Sequence, residues 1–189
     1  MKAASWGMAA LVWSASPASA ELIASADCPI EKTVYALADT PGITAGFARQ
    51  VVQTSFASDL VFWLKTPRRT FWFSFNAPNG YGGTSISPDI DPALAREPTD
   101  AELDARDAAE SVPDAPEPEY LGFDFDAFDG SLDVYDNPPQ SDDLAPALLF
   151  ARGLGPALWY NPAGVAGTDA KVAAESIPIG FWRPAECKA

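Results

Sequence analysis

Only two cysteines occur in the chain, Cys28 and Cys187, one near each end. Joined, they would close a loop spanning 159 positions, so whatever fold forms must bring its two ends together. Whether they join depends on the compartment, and the first twenty residues bear on that. Met1-Lys2 is a short positive start, Ala3–Trp13 is a compact apolar run, and Ala18-Ser19-Ala20 is a small-x-small cleavage site. This pattern predicts a secretory signal peptide over residues 1–20, with a mature chain from Glu21. The apolar run is too short to cross a bilayer, which takes ~20 apolar residues. In an oxidising compartment an isolated cysteine pair reads as a disulfide, worth at most ~5 kcal/mol by loop-closure entropy. Free thiols are the alternative. A lipid anchor on Cys28 is disfavoured, because Asp27 stands where a lipobox needs a small residue. Residues 21–189 are read as one exported domain, periplasmic or secreted.

Acidity divides that domain. From Asp89 to Asp143 there are 18 Asp and Glu against two basic residues, Arg96 and Arg106, and the block holds seven prolines. Like-charge repulsion and proline both oppose compaction. Residues 89–143 are therefore expected to form an acidic, partly disordered insertion in a body built from 21–88 and 144–189. The whole chain carries a formal charge of −14. Nucleic acid and anionic lipid are repelled and make poor partners, and cations or basic surfaces are favoured. No internal repeat is apparent.

The body reads as short strands. Ile30–Leu37 is a first strand, and Ile43, Ala45 and Phe47 alternate through a second that Val51–Phe56 would continue. Leu60–Leu64 and Thr70–Phe75 make a β-hairpin across Lys65–Arg69. Phe71, Phe73 and Phe75 face one way, and Thr70, Trp72 and Ser74 the other. Large apolar groups on both faces predict a hairpin covered on both sides. Thr84–Ser87 is a further short strand. Thr99-Asp100-Ala101-Glu102 is a capping box opening a helix to about Glu110. Tyr120–Phe125 alternates apolar with acidic residues, and Asp129-Gly130 turns it toward a return strand through Leu132, Val134 and Tyr135. Asp143–Arg152 is expected to be helical, Ala157–Tyr160 a strand, Thr168–Glu175 a helix, and Ile177–Trp182 the last strand. The sum is a mainly β or α+β fold: an antiparallel sheet, sandwich-like, with two or three short helices.

The chain has no histidine. That removes the commonest general base and the usual catalytic zinc ligand, and neither a Ser-His-Asp nor a Cys-His centre can be built from it. Four aspartates remain as metal candidates: Asp124, Asp126, Asp129 and Asp133, with Asp136 beyond them. Their spacing around Asp129-Gly130 resembles an EF-hand calcium loop, since Ca²⁺ needs several hard oxygens converging about a tight turn. It departs from that loop by one extra residue before the Asp-Gly and by lacking the closing Glu. An alternating strand with its aspartates toward water is the plainer reading. Paired carboxylates could serve a glycan hydrolase without histidine or metal, but 18 acids in one block allow any pairing.

Trp63, Trp72 and Tyr81 are candidates for a ligand platform, together with Trp159, Tyr160 and Trp182; burial in a core is the competing reading. Asn79–Gly83 is glycine-rich without phosphate-loop spacing and reads as a loop. Arg68-Arg69 is a basic spot at a hairpin tip that would balance the acidic block. The function expected is that of an exported bacterial envelope protein with a non-catalytic binding or structural role, the bacterial source resting on the Ala, Pro and Asp content. A basic protein or a glycan is the expected partner. No cofactor is expected beyond Ca²⁺ in the alternative reading, a calcium-binding module in the acidic block, and a glycan-active hydrolase is the weaker alternative.

Overall fold

Alternation along each strand settles where the core sits. In β3 (Leu60–Lys65), Leu60, Phe62 and Leu64 are fully buried, and in β4 (Thr70–Asn76) so are Phe71, Phe73 and Phe75. The two pair in register as an antiparallel hairpin, Phe62 opposite Phe73 and Trp63 opposite Trp72. A computed structural model describes residues 28–52, 55, 57–77, 83–110, 121–168 and 170–189. The predicted signal peptide lies outside the described residues.

Among the described residues, six more strands extend this hairpin: β1 (Thr33–Leu37), β2 (Thr44–Arg49), β5 (Ser85–Asp89), β6 (Phe123–Phe128), β7 (Leu148–Ala151) and β8 (Trp182–Cys187). Each pairs antiparallel with the next, and β8 returns to β1, closing a barrel. The expected sandwich is thus corrected to a closed barrel within the same β class. The physical reason is that no strand is left as an edge. β1 pairs with β2 on one side and across five residues with β8 on the other, from Thr33 opposite Cys187 to Leu37 opposite Trp182.

The seams are unequal. β5 meets β6 through two residue pairs, and β7 meets β8 through one, Leu149 opposite Trp182. The Cys28–Cys187 disulfide ties the chain before β1 to the end of β8, as expected of an isolated cysteine pair.

In an up-and-down barrel, alternate connections share an end. At one end the β7–β8 connection carries α2 (Leu154–Tyr160) and α3 (Pro162–Val165), whose Leu154, Leu158 and Val165 join the core. At the other end a 3-10 turn over Ile30–Lys32 buries Ile30, and its N–H donates to the carbonyl of Asp143. Tyr35 fills the interior below and donates its hydroxyl to the carbonyl of Pro146 at 2.9 Å.

Several elements differ from expectation. Ile30–Lys32 is a 3-10 turn ahead of the first strand, and β2 stops at Arg49 instead of continuing through Val51. The segment expected as a helix over Asp143–Arg152 supplies β7 instead, because the barrel needs a strand between β6 and β8. Ala157–Tyr160 belongs to α2, the described residues of Thr168–Glu175 are not helical, and the last strand starts at Trp182. The return strand after Asp129-Gly130 shrinks to one bridge, Phe128 opposite Val134, since β7 occupies one edge of β6.

The acidic block is not wholly outside the body: it contributes β6, with Phe123, Phe125 and Ala127 buried. The capping-box helix forms as α1 (Asp100–Glu110). Thr99 and Glu102 reciprocate: Thr99 N–H and Oγ1 both donate to the Glu102 carboxylate at 2.8 Å, and the Glu102 N–H donates back to Thr99 Oγ1 at 3.4 Å. Arg96 grips the same carboxylate, which holds it well below the usual range.

Candidate functional surface

A barrel of eight strands is just wide enough for side chains to fill, or for one small ligand. Here side chains fill it. Phe125 lies 5.1 Å from Phe62, 5.2 Å from Phe75 and 6.4 Å from Phe47 between ring centroids, and Phe73 meets Phe123 at 6.1 Å. These are edge-to-face contacts, the geometry the ring quadrupole favours. A shallow cleft of about 190 Å³, open to solvent, lies outside the barrel where Val51, Ile90 and Ala95 approach Val61. It buries Val61 on the outer face of β3, so the expectation of a hairpin covered on both faces holds at that position.

The candidate calcium residues do not point to one centre. Asp124 and Asp126 stand on the outer face of β6, with Asp124 near Arg152 at 3.9 Å. Asp129 turns back on its own loop, its Oδ1 accepting the N–H of Ser131 at 2.7 Å and of Asp133 at 3.0 Å. That carboxylate holds the turn, and Asp133 is exposed beyond it. Among the described residues, no group of three or more acids or cysteines is arranged to hold a metal ion.

Two of the three platform aromatics are brought together; Tyr81 lies outside the described residues. Trp63 and Trp72 are cross-strand neighbours on the outer face, both half-buried. Trp63 is already engaged. Its indole lies across Gly46, its Nε1–H donates to the carbonyl of Phe47 at 3.2 Å, and the Lys188 ammonium stands 5.7 Å above the ring. Trp159 and Tyr160 are exposed on α2, while Trp182 is interior. Arg68 donates to the carbonyl of Ala174 at 2.8 Å and faces the buried Glu175 at 3.8 Å. Glu175 also accepts from Thr66 Oγ1, so this basic spot anchors the α2–β8 connection to the β3–β4 turn.

One outer aromatic cluster was not singled out from sequence. Phe128 on β6, Phe150 on β7 and Phe181 just before β8 converge outside the barrel. Phe181 lies 5.8 Å from Phe128 and 5.2 Å from Phe150. Leu148 opposes Phe128 on one side and Val134 bridges it on the other, giving an apolar stripe across three neighbouring segments. Parity carried the signal for one member: Phe123 and Phe125 are inward, so Phe128 shares the outward face with Asp124 and Asp126. Comparison with protein-family models, curated proteins and solved structures finds no match.

Proposed function

We propose that this chain is an exported envelope domain that acts by binding through its outer surface rather than by catalysis. The observation that carries the reading is the contrast between the two sides of the barrel. The inside is packed with buried phenylalanines, while the outside displays three contiguous phenylalanines, with Phe181 46% exposed. Contiguous apolar surface on a rigid face marks interaction sites. The absence of histidine and the end-to-end disulfide support the same reading, one for the chemistry and the other for the compartment.

The test has two arms. Fractionation with N-terminal sequencing is expected to find a processed chain outside the cytoplasm. Purified protein is expected to show no turnover on broad panels of hydrolase substrates, glycans included. Turnover abolished by a single Asp→Asn change would overturn the proposal. The calcium alternative has its own readout, the melting temperature with and without millimolar calcium at matched ionic strength. No shift is expected, because the Asp129 carboxylate is occupied by backbone N–H groups.

A further inference from the structure

The stripe of Phe128, Phe150 and Phe181 rests on the binding role proposed above and narrows it to a class of partner. Phe128 and Phe150 are set by paired strands and Phe181 packs against both from just before β8, so the surface is preformed. It continues past Phe128 to Val134, 52% exposed, and toward Ile179, 74% exposed and two residues before Phe181. Aromatic anchors on a preformed face are the usual energetic centre of an interface.

Charge decides what covers it. The outward residues of β6 that precede Phe128 are Asp124 and Asp126, and Asp126 stands directly opposite Phe150. The turn beyond Phe128 adds Asp129 and Asp133. From Leu121 to Asp136 there are five aspartates and no lysine or arginine. Among the described residues, Arg152 stands beside Asp124 at 3.9 Å and Arg183 lies one residue into β8, so the basic charge near the stripe is two residues against the five aspartates. A second copy would bring the same carboxylates and another −14 to the contact, and anionic lipid would be repelled in the same way.

We propose that this face docks a cationic protein segment whose apolar side chains insert among Phe128, Phe150 and Phe181 while its Lys or Arg residues meet the β6 aspartates. The aromatic stripe supplies the residence time, and the acidic margin supplies orientation and a salt-dependent on-rate.

The test uses the full oxidised chain and two short fluorescent peptides, one alternating Phe with Lys and one alternating Phe with Glu, read by anisotropy over a salt series. The Lys peptide is expected to bind and the Glu peptide not. The double change Phe150→Ser, Phe181→Ser is expected to weaken binding by about tenfold or more. Asp124→Asn with Asp126→Asn is expected to weaken it less and to flatten its salt dependence. Asp100→Asn with Asp104→Asn, on α1, is expected to leave it unchanged. The proposal is overturned if the Glu peptide binds equally or if the phenylalanine variant binds as tightly as the parent with its melting curve intact. It is equally overturned if the α1 pair weakens binding as much as the β6 pair, which would mean unspecific attraction. Sedimentation showing a dimer that Phe181→Ser dissolves would assign the face to a second copy and overturn it too. None of these outcomes touches the absence of catalysis, which the substrate panels judge separately.

Discussion

Gly46 sits on the outer face of β2 beneath the indole of Trp63, and there is no room for a side chain. A Cβ there would stand 2.5 Å from Cζ2 of Trp63 and 2.9 Å from the carbonyl oxygen of Thr33. Gly46→Ala is therefore expected to destabilise the barrel by about 1–3 kcal/mol, the usual cost of overpacking. Adding Trp63→Ala should recover part of that loss, since one of the two clashes goes with the ring; chemical denaturation of the single and double variants measures it. A second residue-scale effect belongs to pH. Burial pushes the Asp59 carboxyl up, but hydrogen bonds from the Ser141 hydroxyl and N–H, with Arg49 nearby, outweigh it and hold the group below its ordinary 3.8. A depressed carboxylate stabilises the fold above its unfolded pKa, and that contribution is lost as pH falls through the folded value. Stability is expected to drop below about pH 4 with a share that Asp59→Asn abolishes, read as the difference between parent and variant melting temperatures across an acid series. Tyr35 gives the opposite sign. Burial raises its hydroxyl far above 10.0, so its contribution is complete below pH 10 and fades as the unfolded chain ionises above it.

Single elements differ in how far they could be read from sequence. The β3–β4 hairpin was legible because aromatic and β-branched residues alternate on both sides of a polar, proline-bearing turn, and local propensity agrees with the final pairing. The start of α1 was legible because Thr99 and Glu102 cap it without help from tertiary contacts. β7 was not. Leu144–Ala151 is an apolar run rich in Ala and Leu, which suits a helix locally, and only the open edges of β6 and β8 make it a strand. The site was less legible than the fold. Phe128 could be assigned outward by parity, but its meeting with Phe150 and Phe181 depends on the pairing of β6 with β7 and on the approach to β8. β8 itself is held asymmetrically, by five residue pairs to β1 and one to β7. The disulfide fastens its free end to the chain before β1. Removing it by Cys28→Ser with Cys187→Ser is expected to cost up to ~5 kcal/mol. The loss of amide protection should be concentrated in β8 and β1, and hydrogen exchange resolves whether the β3–β4 hairpin stays the more protected of the two regions.

At the scale of the whole molecule, two facts that sequence kept apart become one. Alternation tells which side of each strand is inward, but it does not tell whether the first and last strands meet, and a sandwich and a barrel share the same alternation. The cysteine pair carried that missing information, because ends joined by a disulfide are ends that lie side by side, and β1 against β8 closes the sheet. Closure forces every inward residue into one narrow space, where Phe47, Phe62, Phe73, Phe75 and Phe125 pack ring to ring. The ligand room that a barrel of this size can offer is consumed by these rings. If these rings occupy the space a ligand would need, removing the central one should create a binding site. Phe125 touches three other phenylalanines and is 1% exposed, so Phe125→Ala is expected to cost about 3–5 kcal/mol and to leave an apolar cavity. Such cavities stay dry and take up small apolar molecules. Benzene or xenon should therefore raise the melting temperature of the variant and leave the parent unmoved. A parent that responded equally would mean the barrel already holds an interior space for ligand, and the outer face would lose its claim to be the working surface.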